Sequence, residues 1–297
     1  MNGKFADAMS RMFDFQETWN LLQYDFVQQA LIAGAVLGLL AGVIGPIIVS
    51  RQMSFAVHGT SELSLTGASA GLLLGVSVGL GAVAGSVIAA VLFGILGTKA
   101  RDRDSVIGVI MAFGLGLSVL FLWAYDGRTG TSFSLLIGQV VAPGSTGLQL
   151  LALCAAVVLA VMAFIYRPLL FASTDPDVAA SRGVPVRALS VIFAVLVGIT
   201  AALGVQIVGA LLVMALLITP AAAAAYLTAS PLKSTVLAVV FAEIAAVGGI
   251  LISLAPGVPV SSFVTGISFV IYLICRLVGR SRRGNHGRRV VPVDVAP

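Results

Sequence analysis

Apolar positions along this chain come in long unbroken runs rather than in alternation. Nine runs stand out, over about 27–49, 54–76, 79–98, 105–125, 147–167, 187–203, 206–228, 234–255 and 260–278. A helix needs about 20 apolar residues to cross the hydrocarbon core of a bilayer. A membrane-spanning β-barrel would instead show segments of about ten alternating residues, and none occur. The pattern therefore predicts an all-α, polytopic helical membrane protein with nine spans. The stretch 187–228 is too long for one helix, and "ALGVQ" (202–206) reads as the turn within it. An eight-span count follows if one pair is wrongly divided.

Charge adds an orientation. Only 10% of the 297 residues are charged, against roughly 25% in a soluble domain. The basic residues gather in short loops: Lys99, Arg101 and Arg103; then Arg167, Arg182 and Arg187; then Lys233. Six of the 17 lie between Arg276 and Arg289. Nine spans place all of these on the cytoplasmic side together with Arg51, as the positive-inside rule requires. The amino terminus is then outside and the carboxyl terminus inside. This divides the chain into an extracytoplasmic segment (1–25), a membrane domain (26–279) and a basic cytoplasmic tail (280–297). Such a tail, next to a final span, suits anionic lipid at the membrane surface rather than nucleic acid.

Two glycine runs have four-residue spacing: Gly34, Gly38 and Gly42, then Gly67, Gly71, Gly75 and Gly79. That spacing puts glycines near one helix face, where two backbones approach closely. Cys154 and Cys275 lie inside apolar runs and read as small core residues. Much chemistry is missing. There is no P-loop and no HExxH. With His58 and His286 the only histidines, no Ser/His/Asp set is available. The chain is not expected to be an enzyme.

One polar pair breaks the apolar pattern. "RQMSFAVHGTSELSLTG" (51–67) carries His58 and Glu62, four residues apart and so on one helix face. At about 1.5 Å per residue, they sit roughly 10 Å and 16 Å inward of Arg51, near mid-membrane. Ionisable groups at that depth are costly and face a partner or a cavity. The residues leave three readings open: a hydrogen-bonded structural pair, a proton relay, or a metal site. As ligands they offer nitrogen and oxygen without thiolate, which suits Zn²⁺, Mn²⁺ or Fe²⁺. Glu243 is the other mid-span acid and a candidate third ligand or gate, or a satisfied polar contact.

Between the fifth and sixth spans lies "STDPDVAASRGVPV" (173–186). Asp175 suits an N-cap, Pro176 the first turn and Gly183 the stop, which predicts a helix of about seven residues. It is too short to cross the membrane. A well-capped helix in a cytoplasmic loop could receive force from a separate motor.

Four segments in order resemble the permease subunits of ABC importers for zinc, manganese or iron(II), over roughly 26–278. They are "LIAGAVLGLLAGVIGPIIVSRQMSF", "LLIGQVV" (135–141, where Phe-Gly is more usual), "TDPDVAASRGVPV" and "GALLVMALLITPAAAAAYL" (209–227). The resemblance implies a bacterial plasma membrane permease with no permanently bound cofactor, whose cargo is a divalent metal. It also implies an ATP-binding cassette ATPase dimer, an extracytoplasmic metal-binding protein and a second permease copy, identical or paralogous. Asp175, Pro176, Asp177, Arg182 and Gly183 fall in the family's ATPase-coupling helix. Family members commonly follow Arg-x-Met-Ser-Phe with Gly-Asp-Ala-Leu-Ser-His, whose Asp and His line the ion path. Those two positions are His58 and Glu62 here, with imidazole and carboxylate in exchanged order. Three rivals stand beside this reading: a proton-coupled secondary transporter of another fold, an ABC permease for a siderophore or cobalamin, and a purely structural membrane scaffold.

Overall fold

The computed structural model describes residues 15–96, 100–125, 144–208 and 213–286. Every regular element among them is helical. In chain order these are α1 (Phe15–Leu21), α2 (Asp25–Ser50), α3 (Ser54–Leu73), α4 (Val78–Leu96), α5 (Ala100–Ala124) and α6 (Gly144–Thr174). There follow α7 (Pro176–Ser181), α8 (Val186–Val208), α9 (Val213–Leu227), α10 (Pro231–Leu254) and α11 (Val260–His286). Nine of them lie where the nine apolar runs predict helices. Seven are long and apolar enough to cross a membrane: α2, α4, α5, α6, α8, α10 and α11. The other two are α9, an apolar helix of 15 residues, and α3, which has the length but carries serines, threonines, His58 and Glu62.

The exterior is that of a protein solvated by lipid. Phe164 is 87% exposed and Trp123 82%, with Phe113, Val109 and Val119 also outward. On a water-soluble monomer, apolar surface so continuous would be a liability. The interior is built around α2, whose buried residues run from Val27 to Ile48. It packs on α6, α8, α9 and α10, and Phe193 of α8 lies fully buried in the same cluster. A second group, α3 with α4 and α5, joins the first through α8.

Two seams of small residues let helices touch backbone to backbone. Gly38 and Gly42 of α2 face Glu243 and Val239 of α10. Gly67 of α3 faces Gly81 and Gly85 of α4. In lipid there is no hydrophobic force between helices, so such close packing carries the association. The second run stops at Gly71, because α3 ends at Leu73. Gly75 stands beyond it in left-handed backbone, φ 69°, with nothing near its missing Cβ. The expected turn at 202–206 is also displaced. Helix α8 runs through it to Val208, and Gly204 packs against Val213 and Leu37. Its glycine serves close approach within a helix rather than a reversal. The segment "LLIGQVV", most of the loop 126–146, the first residues of "GALLV" and the end of the basic tail lie outside the described residues.

Candidate ion site and docking helix

Helix α2 ends in a reversal that sets the position of α3. Gln52 N–H donates to Val49 O at 3.2 Å, and Met53 N–H to Ile48 O at 3.0 Å. Gln52 is held in left-handed backbone, φ 54°. This is the Schellman geometry in which glycine is the usual occupant. Helix α3 starts one residue after Met53 and contains no proline, so the turn fixes it as one rigid piece.

His58 and Glu62 share a face of α3, on successive turns. Glu62 is 7% exposed and His58 half-buried. His58 Nδ1 is buried and, among the described residues, has no hydrogen-bond partner. Its backbone carbonyl is engaged by Ser61 Oγ at 2.8 Å, and its ring lies tilted 6.5 Å from that of Phe55. A buried imidazole nitrogen without a partner costs free energy unless something else fills the role. Together the two side chains place one nitrogen donor and one carboxylate on the same face of α3. The protomer adds no third ligand: among the described residues no group of three or more His, Cys, Asp or Glu could hold a metal. Glu243 sits instead on α10, against the α2 backbone at Gly38 and Leu39. A Cβ at Gly38 would lie 3.1 Å from its carboxyl carbon.

The opposite face of α3 borders a cavity of about 520 Å³, lined among others by Arg51, Met53, Ala56, Thr60, Ser173 and Ser190. Residues two apart on a helix point roughly 200° apart. The cavity at Thr60 is therefore separated by α3 itself from the pair at His58 and Glu62.

Helix α7 lies between the ends of α6 and α8. The Asp175 carboxylate accepts from Val178 N–H at 3.0 Å, and Pro176 fills the first turn, where no backbone donor is needed. Gly183 closes the helix at φ 81°, while Val184 N–H reaches Ala179 O at 3.0 Å. The helix has six residues where the sequence suggests about seven. Ala179 is fully buried in the main core, whereas Asp175, Pro176, Asp177, Arg182 and Gly183 are all exposed. An alanine at 183 would meet the steric cost of left-handed backbone, roughly 1–2 kcal/mol. Asp175→Ala would lose a cap worth about 1 kcal/mol. Both variants are expected to lower the melting midpoint of the purified protein, read by thermal unfolding in detergent; an unchanged midpoint would contradict the cap assignment.

The sequence profile of the ABC 3 transport family matches residues 23–279. The chain belongs to that family. The manganese transport system membrane protein MntC of Listeria monocytogenes is 31% identical over 258 residues, covering 85% of this chain and 92% of the relative. The protein of the same name from Halalkalibacterium halodurans is 33% identical over 234 residues, covering 78% and 80%. Among solved structures, PsaBC from Streptococcus pneumoniae in complex with Fab superposes with a TM-score of 0.78 at 27% identity. It covers 88% of this chain and 94% of that one. This ABC 3 permease is thus an integral protein of the bacterial plasma membrane, a membrane component rather than a catalytic one.

Sequence reasoning does not find the partners of Arg51. Ser173 and Ser190, 122 and 139 residues away, both accept hydrogen bonds from its guanidinium. Arg51 itself stands out as the start of the Arg-x-Met-Ser-Phe signature, but the serines carry no signal in a chain rich in serine.

Proposed function

We propose that this ABC 3 permease carries manganese(II) into the cell, with His58 and Glu62 as ligands along the ion path. The observation that carries this reading is the pair itself: a buried, unpartnered imidazole nitrogen beside a buried carboxylate on one face of α3. Nitrogen and oxygen donors without thiolate suit manganese, zinc and iron(II) alike. The relatives named for manganese transport favour manganese first, with zinc and iron(II) as the competing cargoes. Two ligands are too few to enclose an ion, and an ion in transit must be held weakly enough to leave. A second permease copy would bring a second pair to the same path.

In this reading the end of the bundle with Arg51 and α7 faces the cytoplasm, and nine helices cross. At about 1.5 Å per residue the 20 residues of α3 reach about 30 Å. An ATPase dimer on a separate chain docks at α7, where Asp177 and Arg182 offer polar contacts. An extracytoplasmic binding protein delivers the ion to the other side, and docking force drives alternating access. Membership in an ABC family speaks against a proton-coupled carrier of another fold. A siderophore or cobalamin would leave the polar pair without a purpose.

The test is the metal content of cells lacking the gene, complemented with wild type or with empty vector. Cellular manganese is expected to fall severalfold and to recover only with the wild type. If zinc or iron changes instead, the cargo is reassigned; if no metal changes, the import reading fails.

A further inference from the structure

The reversal between α2 and α3 is tied to both helices that flank α7. Arg51 Nε donates to Ser173 Oγ at 2.7 Å, and Nη1 donates to Ser190 Oγ at 3.1 Å. Ser173 lies two residues before the Asp175 cap, in the last turn of α6. Ser190 lies in the first turns of α8, beyond α7. Each hydroxyl spends its own proton on its own helix: Ser173 on Leu169 O at 2.6 Å, Ser190 on Val186 O at 2.9 Å. Their lone pairs are thereby oriented toward the guanidinium. Arg51 also stacks over the buried ring of Phe193, 5.7 Å from its centroid, a favourable cation–π distance.

An apolar contact runs parallel to this polar one. Met53 packs against the main core, which holds Ala179 of α7. It also packs against the separate cluster of Ala56, Phe93 and Ile107. The link therefore runs from the ends of α6 and α8, the two helices that α7 joins, through Arg51 and Met53 to the first turn of α3. From Ser54 onward α3 is unbroken, so a shift at its start moves His58 and Glu62 with it. The left-handed backbone at Gln52 is disfavoured for a side-chain-bearing residue, and such a conformation persists only where its surroundings hold it.

We infer that Arg51 is a positioning residue for transport, a clamp that passes movement of the α7 segment to the ion-pathway helix. Its described hydrogen bonds and ring contact go to α6 and α8, and none goes to the ion pair. This rests on the proposal that the ATPase docks at α7. Lysine is a poor substitute, because a single ammonium on a flexible stem lacks the fork that spans two fixed acceptors.

The test uses the full complex of permease, ATPase and binding protein in liposomes, with three readouts: ATPase association, ATP hydrolysis and manganese taken up per ATP hydrolysed. Arg51→Gln is expected to keep association and to hold hydrolysis within about twofold of wild type, while uptake per ATP falls at least fivefold. Ser173→Ala/Ser190→Ala, which leaves Arg51 in place, is expected to lower the same ratio, and Arg51→Lys to recover only part of it. A wild-type ratio in Arg51→Gln overturns the clamp. So does parallel loss of association and hydrolysis, which marks Arg51 as a folding residue. Asp177→Lys/Arg182→Glu reports on the docking proposal separately. If that variant binds the ATPase normally, the docking proposal falls and the clamp with it. If it loses association while Arg51→Gln behaves as wild type, the clamp alone falls.

Discussion

His58→Ala combined with Glu62→Ala is expected to reduce the initial rate of manganese uptake by at least tenfold, with normal amounts of permease in the membrane. Both substitutions shorten side chains on one face of α3 and leave its backbone bonds intact. They also remove two ionisable groups from the membrane interior, where such groups are costly. What disappears is the donor set. Losing one ligand of a two-ligand pair leaves the ion a single donor. A difference of 1.4 kcal/mol is already tenfold in an equilibrium constant. Each single variant is therefore expected to fall most of the way to the double. A purely structural pair predicts the reverse: normal transport by whatever protein still folds, with reduced abundance.

The second large effect concerns assembly rather than transport. Gly67→Val is expected to remove most folded permease from the membrane fraction. A Cβ at position 67 would lie 2.8 Å from the Gly85 Cα and would also fall on the carbonyl of Gly81. Contacts under about 3 Å with backbone leave no flexible side chain to move aside, so α3 and α4 must separate. Overpacking a well-fitted contact costs typically 1–3 kcal/mol, and here the close approach is the seam itself. Gly108→Val offers the control, because nothing lies within 4 Å of its missing Cβ. The measurement is monodispersity and yield by fluorescence-detected size exclusion. Equal yields for the two variants would contradict the seam.

Hydropathy located the long helices because lipid demands long apolar runs whatever the tertiary packing. Helix α3 was legible as the run 54–76 even though its serines, threonines, His58 and Glu62 make it the most polar of the nine, and its Arg-x-Met-Ser-Phe frame marked the pair within it. The caps of α7 were legible because Asp, Pro and Gly each answer a local backbone need. Features set by tertiary contact were not legible. Gly204 and Gly75 look alike in sequence, yet one packs inside α8 and the other ends a helix. Glu243 looks equivalent to Glu62 by depth, but which helix it faces depends on the α2–α10 seam. The serines that hold Arg51 are far away in the chain and ordinary in type.

The pair at 58 and 62 is tested most directly by ATP-driven uptake of radiolabelled manganese into liposomes carrying the complete transporter. Wild type is compared with His58→Ala/Glu62→Ala and with the exchange His58→Glu/Glu62→His. The account predicts background uptake for the alanine pair and measurable manganese uptake for the exchange, which keeps one imidazole and one carboxylate on the same face. Wild-type uptake by a well-folded alanine pair would contradict it.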